Sequence, residues 1–187
     1  MSERVTDALR ELAATATRAA DALEHDIAAA LDLVQRTVRS GGTLFFCGNG
    51  GSAADAQHVA TEYVVRYVRD RRPYPAVALT TDTSLLTAAA NDLGFEHVFA
   101  RQVEALARAG DLLVIHSTSG NSPNVLRAAA AARAKGVAVL ALLARDGGRL
   151  RALADRAVVV PTDRTDRAQE VHMCIEHLIC ERVEREL

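Results

Sequence analysis

Five short apolar runs alternate with helix-length segments along this chain, and that alternation limits the possible folds more than any other feature. The runs occupy residues 43–47, 76–79, 112–115, 137–143 and 157–160. Short runs that are apolar throughout are typical of strands buried in a parallel sheet. Strands that alternate with helices form such a sheet with helices on both faces. The sequence therefore predicts an α/β fold, a three-layer sandwich with a five-stranded parallel sheet flanked by helices.

The two ends of the chain are helical in pattern. Apolar residues recur at helical spacing over residues 6–40 with a break near His25 and Asp26, which predicts two helices before the first strand. Further helices are predicted at 53–67, 84–90, 96–108, 123–135, 150–155 and 166–187. The length of 187 residues, without a repeat or long linker, indicates one domain over residues 1–187, with residues 1–40 as an N-terminal helical extension.

The charges nearly cancel, since 22 Lys and Arg stand against 24 Asp and Glu, for a net charge of −2. This balance argues against nucleic acid or an anionic membrane as a partner of the whole domain, whereas a small anionic substrate needs only a pocket. The spacing of Cys47, Cys174 and Cys180 indicates neither a disulfide framework nor a thiolate metal site. With no secretory signal and no membrane-spanning run, the chain is interpreted as soluble and cytoplasmic.

A glycine-rich loop, 48–52, lies between the first predicted strand and a helix. Its glycines let a ligand approach the main chain, and the following helix presents free N–H groups and the positive end of its dipole. An anion would be favoured there. The alternative is a tight turn without a ligand, because such loops are common and this one is neither a dinucleotide-binding motif nor a P-loop.

A second loop, 117–122, follows the third predicted strand and carries four hydroxyl side chains and one glycine. A helix cap before Pro123 would need only one serine. Loops after parallel strands gather at the carboxyl edge of the sheet, where ligands bind. Together the two loops predict a binding site for a phosphate or sugar phosphate.

His58 and Glu62 lie four residues apart on the helix after the first loop and share one face of it. Such a pair can chelate a divalent metal or act as a base held by its neighbour. It can equally be a solvated surface pair that stabilises the helix. Arg66 continues the same face, either as a partner for an anion or as a solvated side chain.

Polar side chains interrupt the apolar positions of the last helix, among them Gln169 and His177. His177 can be read as a core histidine. The two residues are eight positions apart, about 12 Å of helix rise, so one helix would strain to bring both to a single metal. If both serve one site, we expect different subunits to donate them.

With these positions laid out, the chain resembles the sedoheptulose 7-phosphate isomerase (phosphoheptose isomerase) family of the sugar isomerase (SIS) domain superfamily. The resemblance lies in residues 47–58, Glu62, Arg66, 91–92, 117–122, 166–170 and His177. It implies a SIS fold and a cytoplasmic homotetramer with active sites between subunits, to which residues 1–40 contribute contacts. It also implies conversion of sedoheptulose 7-phosphate into D-glycero-D-manno-heptose 7-phosphate, for heptose biosynthesis, with one Zn²⁺ per subunit.

The resemblance further implies a role for each matching residue. Glu62 and His177 would be the catalytic acid/base pair, and the zinc ligands would be His58, Glu62, Gln169 and His177. The implied substrate contacts are Asn49, Gly50, Gly51, Ser52, Glu62, Arg66, Asn91, Asp92, Ser117, Thr118, Ser119, Ser122, Asp166 and Gln169. Ketose-to-aldose conversion moves a proton between C2 and C1 through an enediol, which suits a carboxylate beside an imidazole.

Two places depart from the family pattern. Leu143 and Ala144 stand where a Thr-Gly pair is usual, and His116 stands where an apolar residue is common. The main rival function is that of a catalytically silent sister, a tetramer that binds the bacterial replication initiator protein and lacks the groups matching Glu62 and His177. Another alternative, a regulatory domain that senses sugar phosphates, would not need His58, Glu62 and His177 together. The presence of these residues favours the isomerase.

Overall fold

A computed structural model describes residues 4–187, in which a parallel sheet lies between two layers of helices. Residues 1–3 of the predicted domain lie outside the described residues. The strands are β1 (Leu44–Gly48), β2 (Ala76–Ala78), β3 (Leu112–Ser117), β4 (Ala138–Ala144) and β5 (Arg156–Val160). The helices are α1 (Asp7–Arg39), α2 (Gly51–Val64), α3 (Thr83–Leu93), α4 (Ala100–Leu106), α5 (Pro123–Ala134) and α6 (Thr165–Glu186).

The five strands are ordered β2-β1-β3-β4-β5, and every neighbouring pair is parallel. This confirms the predicted sheet. The chain runs from β1 to β2 on one side of β1 and then returns to form β3 on the other side of β1. The direction in which strands are added to the sheet therefore reverses between β1 and β3. Gly48 at the end of β1 pairs with His116 of β3. The loops after these strands therefore emerge side by side, at the position where such sheets bind ligands.

Each face of the sheet has its own apolar core. Phe46 and Val114 pack toward α1, α2 and α6, whereas Phe45 and Ile115 pack toward α3, α4 and α5. Alternate residues of a strand point to opposite faces, so both sets come from the same two strands. Coverage on both faces explains why the strand sequences are apolar throughout.

The prediction of two N-terminal helices is wrong, because α1 continues through His25 and Asp26. Residues 7–39 contain neither Gly nor Pro, the residues that most often end a helix. The buried residues Leu23 and Ala30 are seven positions apart and lie on one face, before and after the supposed break. His25 and Asp26 are exposed, so they belong to the solvent side of one helix.

Three predicted helices are shorter in the structure. The segment expected at 96–108 is a 3-10 turn, Phe95–His97, followed by α4, and the segment expected at 150–155 is the 3-10 turn Arg149–Ala152. Gly94 and Gly148 precede these turns with φ of 95° and 55°, a conformation that redirects the chain. α2 ends at Val64, so Arg66 lies in the following loop and does not continue the helical face of Glu62.

Within residues 4–187, no helix has both the length and the apolar character that crossing a membrane requires.

Candidate functional site

The loops after β1 and β3 enclose a cavity of about 260 Å³ at the carboxyl edge of the sheet. The residues that line it are Asn49, Gly51, Ser52, His116, Ser117, Thr118, Ser119, Ser122, Thr165 and Gln169. Eight of the predicted substrate contacts are brought together here, from both loops and from α6. The remaining loop residue, Gly50, directly precedes α2 with a φ of 58°.

The chemistry of this cavity suits an anion. Hydroxyl groups dominate its wall, and the N-termini of α2 and α5 begin beside it. Among the described residues that line it, none is Lys, Arg, Asp or Glu. Hydroxyl donors, free backbone N–H groups and two helix dipoles can hold a phosphate without a fixed positive charge.

Hydrogen bonds hold the two loops in place. Asn49 and Asn124 exchange amide hydrogen bonds of 2.9 and 2.7 Å, which tie the first loop to the start of α5. Gly120 has a φ of 61°, and a Cβ there would lie 2.0 Å from the carbonyl oxygen of Gly147. Its own carbonyl accepts the Leu150 N–H at 2.9 Å. The anion site is therefore formed before any ligand binds.

Gln169 of α6 closes one side of the cavity. Its amide Nε2 donates to Ser52 Oγ at 3.4 Å, and a Cβ on Gly51 would lie 2.6 Å from the same nitrogen. A side chain at position 51 would therefore make the Gln169 amide move from this position. The start of α2 and the start of α6 thus pack together through the Gln169 side chain.

His58, Glu62 and His177 form the second part of the site. His58 Nε2 lies 3.0 Å from His177 Nε2 and 3.3 Å from Glu62 Oε1, and one ligand atom from each residue lies within 4.8 Å of the others. α2 supplies the first two side chains and α6 the third. The Tyr67 ring packs against the His177 ring with centroids 5.4 Å apart, which limits the freedom of that imidazole.

The three side chains fit a zinc ion. Two imidazole nitrogens and a carboxylate oxygen are donors that zinc takes in proteins, at about 2.0–2.2 Å, so a tetrahedral ion holds its ligand atoms about 3.3 Å apart. The separations of 3.0 and 3.3 Å from His58 Nε2 are close to this value. Glu62 is 17% exposed at its side chain and His58 is 50% exposed, so the cluster is reachable from solvent.

Several predicted site residues lie apart from both groups. Asn91 and Asp92 are exposed on α3, where the Asn91 amide donates to the Asp92 carboxylate at 2.7 Å. Arg66 is exposed in the loop after α2. Asp166 is exposed at the start of α6, and its hydrogen bond from Arg164 lowers its pKa to about 2. Within this one chain these four residues do not face the cavity.

The sequence reasoning missed some residues of the site. Thr165 lines the cavity, and Asn124 holds the first loop. Asn124 follows Pro123 at the start of a predicted helix. A polar side chain directly after a hydroxyl-rich loop is the sequence feature that indicates a role in the site. The sequence marks His116 only as a departure from the family pattern, and the structure places it among the residues that line the cavity.

Four ionisable residues are buried or half-buried between β3, α2 and α6. His116 Nε2 lies 3.2 Å from Glu176 Oε1, and both side chains are fully buried. Burial raises the pKa of Asp55, while the nearby His116 and His58 lower it, with a net upward shift. Burial lowers the pKa of His172 to about 4. Polar groups therefore continue from the exposed cluster into the core.

Comparison with known proteins gives the chain a set of relatives. A family profile described as SIS domain matches residues 9–144. A phosphoheptose isomerase of Rhodospirillum rubrum is 52% identical over 158 residues, which is 84% of each chain. One of Geobacter sp. strain M21 is 49% identical over 187 residues, all of this chain and 97% of that one. The solved structure of a phosphoheptose isomerase from Neisseria gonorrhoeae is 44% identical, with a TM-score of 0.92 over 97% of both chains.

Proposed function

The chain belongs to the phosphoheptose isomerase family of SIS-domain proteins, and we propose that it converts sedoheptulose 7-phosphate into D-glycero-D-manno-heptose 7-phosphate. The observation that carries the proposal is that α2 and α6 each contribute to both parts of the site. Ser52 and Gln169 line the anion cavity, whereas His58, Glu62 and His177 form the acid/base cluster. Such a site can hold a phosphate while it moves a proton elsewhere on the same sugar.

The proposed reaction requires two proton movements. The carbon proton leaves C1 and arrives at C2, and a second proton passes from the oxygen of C1 to the oxygen of C2. We assign the first transfer to the Glu62 carboxylate, which is partly buried at the cluster. We assign the second to His177, since an imidazole can both donate and accept near neutral pH. At the enediol stage Glu62 holds the proton from C1 and His177 has given a proton to the oxygen of C2. Glu62 then returns its proton to C2 and His177 takes one from the oxygen of C1, so the protons balance.

The phosphate end is proposed to bind in the cavity. Ser117, Thr118, Ser119 and Ser122 would donate hydroxyl or backbone N–H groups to its oxygens, with Asn49, Gly50, Gly51 and Ser52 on the opposite side. The fixed loops support this role because donors that are already in place lose little conformational entropy on binding. Binding energy at this end can then orient C1 and C2 toward Glu62.

A zinc ion is proposed as one cofactor per subunit, held by His58, Glu62 and His177, with Gln169 as a further ligand. Bound there, zinc would supply positive charge where negative charge develops on the substrate oxygens. The spacing and donor types of the cluster support this proposal. Elemental analysis of the purified protein measures the zinc content.

We further propose a cytoplasmic homotetramer with its sites between subunits, without nucleic acid or membrane partners. Gln169 is about 12 Å of helix away from His177, so a shared metal would need these residues from different chains. The exposed positions of Arg66, Asn91 and Asp92 also support a neighbouring copy that brings them to the substrate.

The decisive experiment incubates the purified protein with sedoheptulose 7-phosphate and follows formation of the aldose phosphate. Turnover is expected for the natural sequence. Absence of turnover in the zinc-loaded protein would reject the proposed function and favour a binding role such as that of the silent tetramer.

The same assay tests the assigned proton-transfer residues. Glu62→Gln and His177→Ala should each lower kcat by about 10²-fold or more, the usual contribution of general acid/base catalysis. His25→Ala is the matched control, because His25 is exposed on α1 away from the site, and it should keep full activity. A kcat near the natural value in either site variant would contradict that residue's role.

A further inference from the structure

A buried pair of ionisable side chains joins β3 to α6 beneath the site. His116 Nε2 and Glu176 Oε1 are 3.2 Å apart, and the two side chains are 0% and 1% exposed. His116 Nε2 and Glu176 Oε1 are within ion-pair distance, but they are not aligned for a hydrogen bond. Neither of these two atoms has a hydrogen-bond partner among the described residues. The Phe46 ring packs against His116 with centroids 6.3 Å apart.

The place of this pair in the chain links the two parts of the site. His116 is followed directly by Ser117, where the hydroxyl-rich loop of the cavity begins. Glu176 directly precedes His177 on α6. Successive helix residues point about 100° apart, so Glu176 can face the sheet while His177 faces α2. Contact at Glu176 therefore adds a polar constraint, next to His177, to the apolar packing that sets how α6 is rotated about its axis.

Stability alone does not account for the pair. A buried ion pair pays a desolvation penalty that an apolar pair of similar volume avoids, and apolar replacements are often neutral or stabilising. Two further polar atoms, Asp55 Oδ2 and His172 Nδ1, are also buried without hydrogen-bond partners among the described residues, and each has a desolvation cost of its own. Buried ionisable groups that cost stability next to a site are candidates for a functional role.

We propose that His116 and Glu176 are positioning residues that hold α6 so that His177 meets Glu62 and His58. This inference rests on the proposed isomerase function. The anion cavity has its own supports, the Asn49–Asn124 amide pair and the hydrogen bond from Leu150 to Gly120. His116 lines the cavity, but its side chain is fully buried against Glu176, so loss of the pair should disturb the proton transfer and leave phosphate binding nearly intact.

The test is the double variant His116→Leu/Glu176→Met, which replaces the pair by apolar side chains of similar size and leaves no single buried charge. We expect a folded enzyme with kcat lowered by about tenfold and KM within about threefold of the natural value. Glu176→Gln keeps a polar partner for His116 and should retain kcat within about threefold. A crystal structure of the double variant should show His58 Nε2 and His177 Nε2 farther apart than their present 3.0 Å.

Gln102→Leu is the matched control for a lost buried polar side chain. Gln102 is buried on the other face of the sheet, where its amide donates to the carbonyls of Leu79 and Val98. It should lose stability without a change in kcat, so that a general loosening of the fold can be recognised.

Several results would overturn the proposal. A double variant with natural kcat would make the pair merely structural, and a raised KM with unchanged kcat would assign it to the phosphate site. A Glu176→Gln enzyme as slow as the double variant would require an electrostatic role instead. If neither variant folds, the pair serves folding and not positioning. Failure of the proposed function is distinct, because the natural protein itself would then lack turnover.

Discussion

Histidine serves different purposes in this chain according to what surrounds each ring. His58 and His177 face each other near solvent, His116 lies against a buried carboxylate, and His172 is buried with its Nε2 donating to the Leu143 carbonyl at 2.8 Å. That hydrogen bond fixes the tautomer of His172, while burial lowers its pKa to about 4. His172 is thus neutral in the folded protein at pH values where it would be charged in an unfolded chain.

Acid should therefore destabilise the protein through His172. Its pKa falls from 6.5 in the unfolded chain to about 4 in the fold, so its contribution is complete above pH 6.5 and declines as the pH drops toward 4. The full difference corresponds to about 3 kcal/mol of unfolding free energy. Urea unfolding at pH 7 and at pH 4.5 measures the loss.

His172→Gln separates this contribution from that of the other titrating groups. Glutamine offers a similar N–H donor and carries no charge at either pH, so the variant should lose less stability on acidification than the natural protein. An equal loss in both proteins would show that His172 does not titrate as its burial indicates.

At the scale of elements, one side chain of α6 organises the loop that follows α2. The Glu184 carboxylate accepts the backbone N–H groups of Tyr67, Val68 and Arg69 at 2.7–2.9 Å, and Arg71 Nε lies 3.1 Å from it. These contacts turn the chain away from the helical path after Val64. They also place Tyr67 beside the His177 ring.

Glu184→Gln should loosen this loop. An amide offers one acceptor oxygen where the carboxylate offers two, so at least one part-buried N–H loses its partner, at a cost of about 1 kcal/mol. Because the loop carries the trypsin sites Arg66, Arg69 and Arg71, limited trypsin digestion should cut it about tenfold faster or more, as its open population grows. Glu181→Gln is the control, because Glu181 is exposed one turn earlier on α6. Equal cleavage of the two variants would contradict the role of Glu184.

Elements defined by local pattern were predictable, and those defined by distant contacts were not. The strands and the two ligand loops follow from apolar runs and from glycine and hydroxyl residues directly after them. The sequence does not predict a continuous α1, because the polar pair His25 and Asp26 suggests the end of a helix. Only the structure shows that the buried face of α1 continues on both sides of this pair. The end of α2 depends on Glu184, and the role of His116 depends on Glu176, and no local pattern predicts a partner 60 or more residues away.

At the scale of the whole molecule, one copy of the chain leaves apolar surface exposed. Large apolar side chains are exposed at Leu9 on α1, Phe95 after α3 and Leu178 on α6. An apolar groove of about 380 Å³ also lies between α1 and α6. A contiguous apolar surface such as this groove is typical of protein–protein contacts, whereas single exposed side chains are common on any protein surface. The groove agrees with the proposal that several copies assemble.

Subunit mixing tests that arrangement directly. Gln169→Ala and His58→Ala should each be nearly inactive alone, because each lacks one member of the proposed ligand set. If a site combines Gln169 of one subunit with His58 of another, some sites in mixed oligomers will contain both intact residues. Random assembly of equal amounts should restore roughly a quarter of the natural activity, since each of the two subunits has an even chance of being the required type.

The control for subunit mixing combines His58→Ala with Glu62→Gln. Both residues lie on α2 of one chain and act in the same cluster, so mixed oligomers of these two variants contain no complete cluster and should stay inactive. Activity is measured after the two chains are co-expressed with different affinity tags and the mixed oligomer is purified through both. Recovery with the Gln169 variant and none with the Glu62 variant is the expected pattern. If the first pair shows no recovery, Gln169 and His58 of a working site come from the same subunit. Gln169 could then not bind the metal held by His58 and His177, because about 12 Å of helix separates Gln169 from His177 in one chain.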